Sequence, residues 1–195
     1  MRVHALLAIS LCLLFSCSKK NTVIPPVVPP DYIYTDLQDL HVGFNQHKSI
    51  DVDNDNRVDF IFSTLLVGDP VLKRDRRQYY IHSTEKSFLQ VNEAQEAPVY
   101  AKGEKIGAHY QRDGYTWYDI NSIVLAEKII EESGNVFWQG SWKDVSHGFI
   151  PFSLTRNEEI HTGWLEISFQ AATGEFILHR AAFNTGDGVD SRAGE

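Results

Sequence analysis

Apolar positions along this chain come in short bursts rather than at helical spacing. From Tyr32 onward the segments Tyr32–Tyr34, Val58–Val67, Gln78–His82, Phe88–Val91, Ile120–Ile130, Val136–Trp138, Gly148–Leu154, Gly163–Phe169 and Glu175–Ala182 are rich in β-branched and aromatic residues. Turn formers separate them, among them Gly68-Asp69-Pro70, Arg112-Asp113-Gly114, Ser133-Gly134-Asn135 and Thr173-Gly174. Branched and aromatic side chains pack well on a pleated surface, so these segments read as strands. Trp164, Glu166 and Ser168 alternate with Leu165, Ile167 and Phe169, which predicts a half-buried strand. Asn92–Pro98 and Leu125–Glu132 hint at one or two short helices, the second equally readable as a strand running on from Ile120. No βαβ rhythm and no fixed-period repeat is present. The pattern therefore predicts a single all-β domain over residues 31–195, an antiparallel β-sandwich, jelly-roll-like or barrel-like.

The first thirty residues follow a different rule. Arg2 and His4 form a short polar head, and Ala5 to Phe15 is apolar apart from Ser10. That run is shorter than the ~20 residues needed to span a bilayer but suits a secretory leader. It ends in Leu14-Phe15-Ser16-Cys17, similar to a lipobox, in which a small residue precedes the cut and the cysteine thiol receives a diacylglycerol. The expectation is a signal peptide over residues 1–16, lipidation at Cys17 and a tether over residues 17–30. Prolines at 25, 26, 29 and 30 favour an extended tether, which at ~3.1 Å per residue reaches roughly 40 Å. Two or three acyl chains anchor firmly where one binds only reversibly, so the lipid bilayer is an expected partner through acylated Cys17. Ser18 follows the cysteine, with no aspartate there to signal retention at the inner membrane. The outer membrane is the expected address, leaflet undecided.

Composition adds two constraints. The chain has two cysteines, Cys12 and Cys17; loss of the first and acylation of the second leave no disulfide, so the fold must rest on its core. Loss of Arg2 changes the balance from 18 basic against 26 acidic residues to 17 against 26, a formal charge of −9. An acidic surface repels phosphate backbones, and no basic aromatic stripe is present, which argues against a nucleic-acid partner.

One segment concentrates chemistry: Asp51-Val52-Asp53-Asn54-Asp55-Asn56-Arg57-Val58-Asp59. Carboxylates at positions 1, 3, 5 and 9 converge when such a loop is tight, and the backbone carbonyl of Arg57 at position 7 adds an oxygen. With water these approach the six to eight hard oxygen ligands that Ca²⁺ takes. Carboxylates ~5 Å apart at an effective dielectric of ~20 repel by ~3 kcal/mol per pair, so the loop needs a counter-charge. Arg57 offers one, although as a backbone ligand its side chain would point outward. The loop is not an EF-hand, because Phe62 stands where the bidentate Glu belongs and Val58, Phe60 and Phe62 alternate like a strand. It resembles the strand–loop–strand calcium loops of integrin-type repeats, present once. Asn56 replaces the usual glycine, and asparagine tolerates the left-handed conformation better than other residues with a side chain. The alternative is a hydrophilic Asp/Asn turn without metal.

A wider resemblance rests on motifs in order: the Asp-rich loop, Gly134-Asn135, Gly140-Ser141-Trp142, His161-Thr162-Gly163-Trp164, Ala182-Phe183-Asn184 and Ala193-Gly194. Together these resemble an uncharacterised group of secreted β-sandwich lipoproteins of Bacteroidetes-like bacteria. The resemblance implies the sandwich fold and supplies no activity. Ser191 and Arg192 stand where an aliphatic residue is usual, which predicts that the last strand ends early.

Other chemistry is thinly signalled. Trp138 and Trp142 flank Gly140 and are the aromatic candidates for stacking on a ligand such as a glycan; aromatics at strand positions otherwise read as core. No His-x-x-x-His or His-Glu-x-x-His pattern signals zinc, and His161 reads as a packed structural residue. Glu131-Glu132 and Glu158-Glu159 are adjacent pairs that point to opposite faces of a strand, which suits solvated turns rather than a glycosidase acid pair. No catalytic residue is identified, and neither a nucleophile elbow nor a P-loop is present. The sequence thus favours a calcium-stabilised, non-enzymatic binding or scaffold module in the cell envelope, its partner a glycan or an envelope protein. A carbohydrate-binding module beside a glycan-utilisation system and a glycan hydrolase are the alternatives.

Overall fold

The computed structural model describes residues 31–195, and the expected signal segment, Cys17 and proline-rich tether lie outside them. Thirteen strands follow in chain order: β1 (Tyr32–Gly43), β2 (Lys48–Ile50), β3 (Phe60–Asp69), β4 (Arg74–Ser83), β5 (Ser87–Val91), β6 (Lys105–Ile106), β7 (Thr116–Asp119), β8 (Ser122–Glu131), β9 (Val136–Gln139), β10 (Gly148–Arg156), β11 (Glu159–Gln170), β12 (Glu175–Asn184) and β13 (Ser191–Arg192). A six-stranded antiparallel sheet in the order β1-β12-β11-β10-β5-β7 packs against a five-stranded one, β2-β3-β4-β8-β9. The result is an open sandwich, not a closed barrel.

The core lies between the sheets. Phe60, Phe62, Tyr79 and Ile81 from the five-stranded sheet meet Phe152, Leu165, Ile167 and Phe176 from the other, all fully buried. Ring centroids stand 5.1 Å apart for Phe60–Phe152, 5.3 Å for Phe62–Phe176 and 5.1 Å for Tyr79–Phe169. Each such side chain contributes ~1.5–3 kcal/mol on burial, which is how a domain without cysteines holds together.

The expected short helices are absent among the described residues. Leu125–Glu132 lies almost wholly in β8, where a register shift opposite Tyr79 and Tyr80 leaves Leu125 without a cross-strand partner. Leu125, Ala126 and Glu127 are consequently buried in succession, which breaks the two-residue rhythm and mimics helical spacing. At Asn92–Pro98 the Asn92 N–H donates to the Glu96 carbonyl, the reverse of the helical direction, and Ala97 precedes a proline.

The alternating strand β11 also departs from expectation, because both of its faces are buried. Its inner residues join the main core, while Trp164 packs outward with Tyr100, Ile106, Phe149, Ala182 and Ala193 in a second, smaller core. The two-residue strand β13, formed by Ser191 and Arg192 themselves, pairs with β6 and lays the C-terminal segment over that face. Several of the ordered motifs serve this packing. A side chain at Gly163 would meet the Ala182 carbonyl and the Phe152 ring at 2.3 Å, and one at Gly194 would meet Phe149 at 2.6 Å. His161 is buried, its ring 5.1 Å from Phe183 and its Nδ1 3.2 Å from the Asn184 carbonyl, the structural role expected of it.

Candidate metal centre

The acidic loop joins β2 to β3 at one end of the sandwich. Val52 inserts into the core and its N–H donates to Asp59 Oδ2 at 2.9 Å, while the Asp59 N–H donates to the Ile50 carbonyl at 2.9 Å. Within the loop the N–H groups of Asn56, Asp55 and Arg57 donate to Asp51, Asp53 and Asp55 respectively. Asn54 and Asn56 adopt left-handed backbone, φ 60° and 66°, the conformation that asparagine tolerates.

Asp51, Asp53 and Asp59 converge, each offering a carboxylate oxygen within 4.8 Å of the others. Oxygens bound to one Ca²⁺ at ~2.3–2.6 Å stand no farther apart than about twice that distance, so this triad can hold a metal ion. Asp51 Oδ1 is buried and has no hydrogen-bond partner, a desolvated acceptor that a cation would satisfy. Asp55 stands apart from the triad, with one oxygen on the Arg57 N–H and the other 3.7 Å from Arg156.

The counter-charge comes from a residue the sequence did not single out. Arg57 is a solvated side chain 3.9 Å from Asp55. Arg156, at the end of β10 in the opposite sheet, donates from Nε to Asp53 Oδ2 at 2.6 Å and from Nη2 to Asp59 Oδ1. Ser87 Oγ donates a hydrogen bond to Asp59 at 3.3 Å, and Thr84 donates from its hydroxyl to the Val58 carbonyl and from its N–H to the Asp59 carbonyl. No local pattern announces Arg156, which lies 97 positions beyond Asp59.

One guanidinium does not neutralise the cluster. Burial pushes the Asp59 carboxyl up to about 6, against the opposing pull of the Val52 N–H and Arg156, with Asp53 and Asp51 adding repulsion. Arg156 itself is held charged: burial opposes its charge, but its hydrogen bond to Asp53 and the fields of Asp59, Asp53 and Asp55 prevail. The site thus has one internal cation, surplus negative charge and an unsatisfied oxygen.

One of the two aromatic candidates, Trp142, is corrected. Trp142 is wholly buried, with its indole N–H on the Ala97 carbonyl at 3.3 Å, so it offers no face to a ligand. Trp138 is half-buried against Tyr79 and Phe169, at 5.5 and 5.1 Å between centroids. Gly140 between them has φ 106°, and a side chain there would also strike the Leu125 carbonyl at 2.6 Å, so the turn requires glycine. The pair frames a packed turn. Comparison of the chain with family models, curated proteins and solved structures finds no match.

Proposed function

We propose that this chain is a lipid-anchored protein of the cell envelope, held at the outer membrane through acylated Cys17, whose sandwich is a calcium-stabilised, non-enzymatic binding or scaffold module. The observation that carries the calcium reading is the convergence of Asp51, Asp53 and Asp59 beside a single guanidinium. Ca²⁺ is the dication best matched to an all-oxygen set on a flexible loop, since Mg²⁺ demands tighter octahedral geometry and sheds water reluctantly. In this reading Asp51, Asp53 and Asp59 supply carboxylates and the ion neutralises what Arg156 leaves over. The three carboxylates lie on one loop, so filling the site fixes that loop, while Arg156 reaches the same carboxylates from the other sheet.

Thermal melting of the purified protein in Ca²⁺ and in chelator tests the calcium reading, with Mg²⁺ as control. Ca²⁺ should raise the midpoint, Mg²⁺ should do less, and Asp53→Asn should abolish the difference; coincident melts refute it. The anchor has its own test: labelled palmitate should enter the wild-type chain and not the Cys17→Ser variant.

A further inference from the structure

A second polar cluster lies on the outer face of the six-stranded sheet, remote from the acidic loop. Asp36, Arg180 and Glu166 stand opposite one another across β1, β12 and β11. Arg180 Nε donates to Glu166 Oε2 at 2.5 Å, and its guanidinium lies 5.1 Å from the Trp164 ring centroid. The other Glu166 oxygen is 2.8 Å from His147 Nδ1. Burial works against the charge on Glu166, but Arg180 and His147 outweigh it and hold the carboxyl below its usual range. The His147 and His179 rings stack at 4.1 Å, with His179 Nδ1 2.6 Å from Asp39 and Nε2 2.8 Å from Ser168 Oγ. Tyr34, Asp36, Asp39, His147, Glu166, His179 and Arg180 line a cavity of about 400 Å³, within the ~300–1,000 Å³ typical of small-molecule sites.

The backbone is reshaped to make this arrangement. From outward-facing Asp36 and Arg180, strict alternation would turn both Asp39 and His179 inward. Instead β1 bulges between Asp36 and Leu40, with Gln38 and Asp39 in left-handed conformation at φ 57° and 51°. At the same level Arg180 pairs with Glu166 and Leu178 with Ile167, which leaves His179 as an extra residue on β12. Bulges re-aim side chains, and left-handed backbone outside glycine costs of order 1–3 kcal/mol per residue. Two such departures at one level of the sheet bring an acid and an imidazole to the same cavity.

Asp39, His179 and Ser168 have the order of an acid–base–nucleophile relay, but the hydroxyl is committed elsewhere. Ser168 Oγ accepts the His147 N–H at 2.9 Å and the residue is only 6 % exposed. The Asp39 and Ser168 bonds fix the His179 imidazole, and Ser168 is not part of the cavity lining. Among these lining residues, the terminal nitrogens of Arg180, Nε2 of His147, the second oxygen of Asp39 and Oδ2 of Asp36 are not used in the bonds above or in the Gln38 N–H bond to Asp36 Oδ1, and they lie beside a Tyr34 that is 55 % exposed.

Donors and acceptors interleaved around an exposed aromatic face suit a ligand whose groups each donate and accept, which is the property of hydroxyls. Three carboxylates against one guanidinium disfavour an anion such as a phosphate or a uronate. We propose that this cavity binds a neutral saccharide. The proposal rests on the binding-module reading but uses no residue of the acidic loop: His147 precedes the first residue of β10 and Arg156 is its last, up to roughly 30 Å away along the strand.

The test is calorimetric titration of the purified protein with neutral gluco-, galacto-, manno-, xylo- and N-acetylglucosamine oligosaccharides, with uronate oligosaccharides and Zn²⁺ in parallel. At least one neutral oligosaccharide should bind saturably, and Tyr34→Ala and Asp39→Asn should each weaken it by roughly tenfold with an unchanged melting temperature. No binding by any neutral oligosaccharide at millimolar concentration overturns the proposal. So does binding confined to uronates or Zn²⁺, or affinity unchanged in both variants. Repeating the titration in chelator keeps the two sites distinct: retained binding supports this one even where calcium leaves the melt unchanged, and lost binding overturns it.

Discussion

Arg156 stands alone against carboxylates from three positions of one loop, with its side chain 19 % exposed and that of Asp59 only 1 %. Removing one member of a buried pair leaves the other charge unsatisfied, a change worth ~3–5 kcal/mol. Arg156→Met should therefore destabilise the calcium-free protein by about 3 kcal/mol in urea denaturation and should increase the protection Ca²⁺ gives, because the ion no longer shares Asp53 and Asp59. A variant equally unstable with and without calcium would show that Arg156 merely packs. His82 makes a separate prediction. It is hydrogen-bonded by Ser63 at 2.5 Å and Ser122 at 2.7 Å, and burial holds its imidazole below its usual value. The unfolded chain takes up that proton near pH ~6.5 while the folded chain resists. Stability from neutral His82 is thus complete above that value and is lost as pH falls below it. Between pH 7 and pH 5 the melting temperature of the wild type should fall relative to that of His82→Asn, while Asp59, raised to about 6, pulls the opposite way in both proteins.

At the scale of single elements, the strands were legible wherever side-chain chemistry and local rhythm agreed, and long-range geometry supplied the exceptions. Phe60 and Phe62 announce a strand because alternation and aromatic character coincide there. β8 was ambiguous because its bulge is set by register against β4, which the residues of β8 do not encode by themselves. The alternation in β11 correctly gave a strand but not the burial of its outer face, since the covering side chains Tyr100, Ile106 and Ala193 come from distant segments. The acidic loop was visible as composition, whereas its partner Arg156 and the bulged cluster of Asp39 and His179 exist only through pairing. Two predictions follow from the close contacts of β11. Gly163→Ala must displace the Ala182 carbonyl or the Phe152 ring, an overpacking that costs ~1–3 kcal/mol and lowers the denaturation midpoint. Truncation after Val189 removes β13 and Ala193, uncovering Trp164; its fluorescence should shift to the red and the melting transition should broaden.

For the whole molecule, the proposed calcium site would act as a linkage between ligand and stability. At a hundredfold excess over the dissociation constant a ligand adds ~2.7 kcal/mol, which for a domain of this size is a rise of roughly 5–10 °C. The topology adds a constraint of timing. β1, near the start of the described chain, pairs only with β12, and Tyr32 lies opposite Asn184. Contacts so distant in sequence close late and slowly. While the chain is being made, its first long strand has nothing to pair with until the last long strand is synthesised. The five-stranded sheet, whose strands all precede β10, can form meanwhile, so the six-stranded sheet is the layer that closes last.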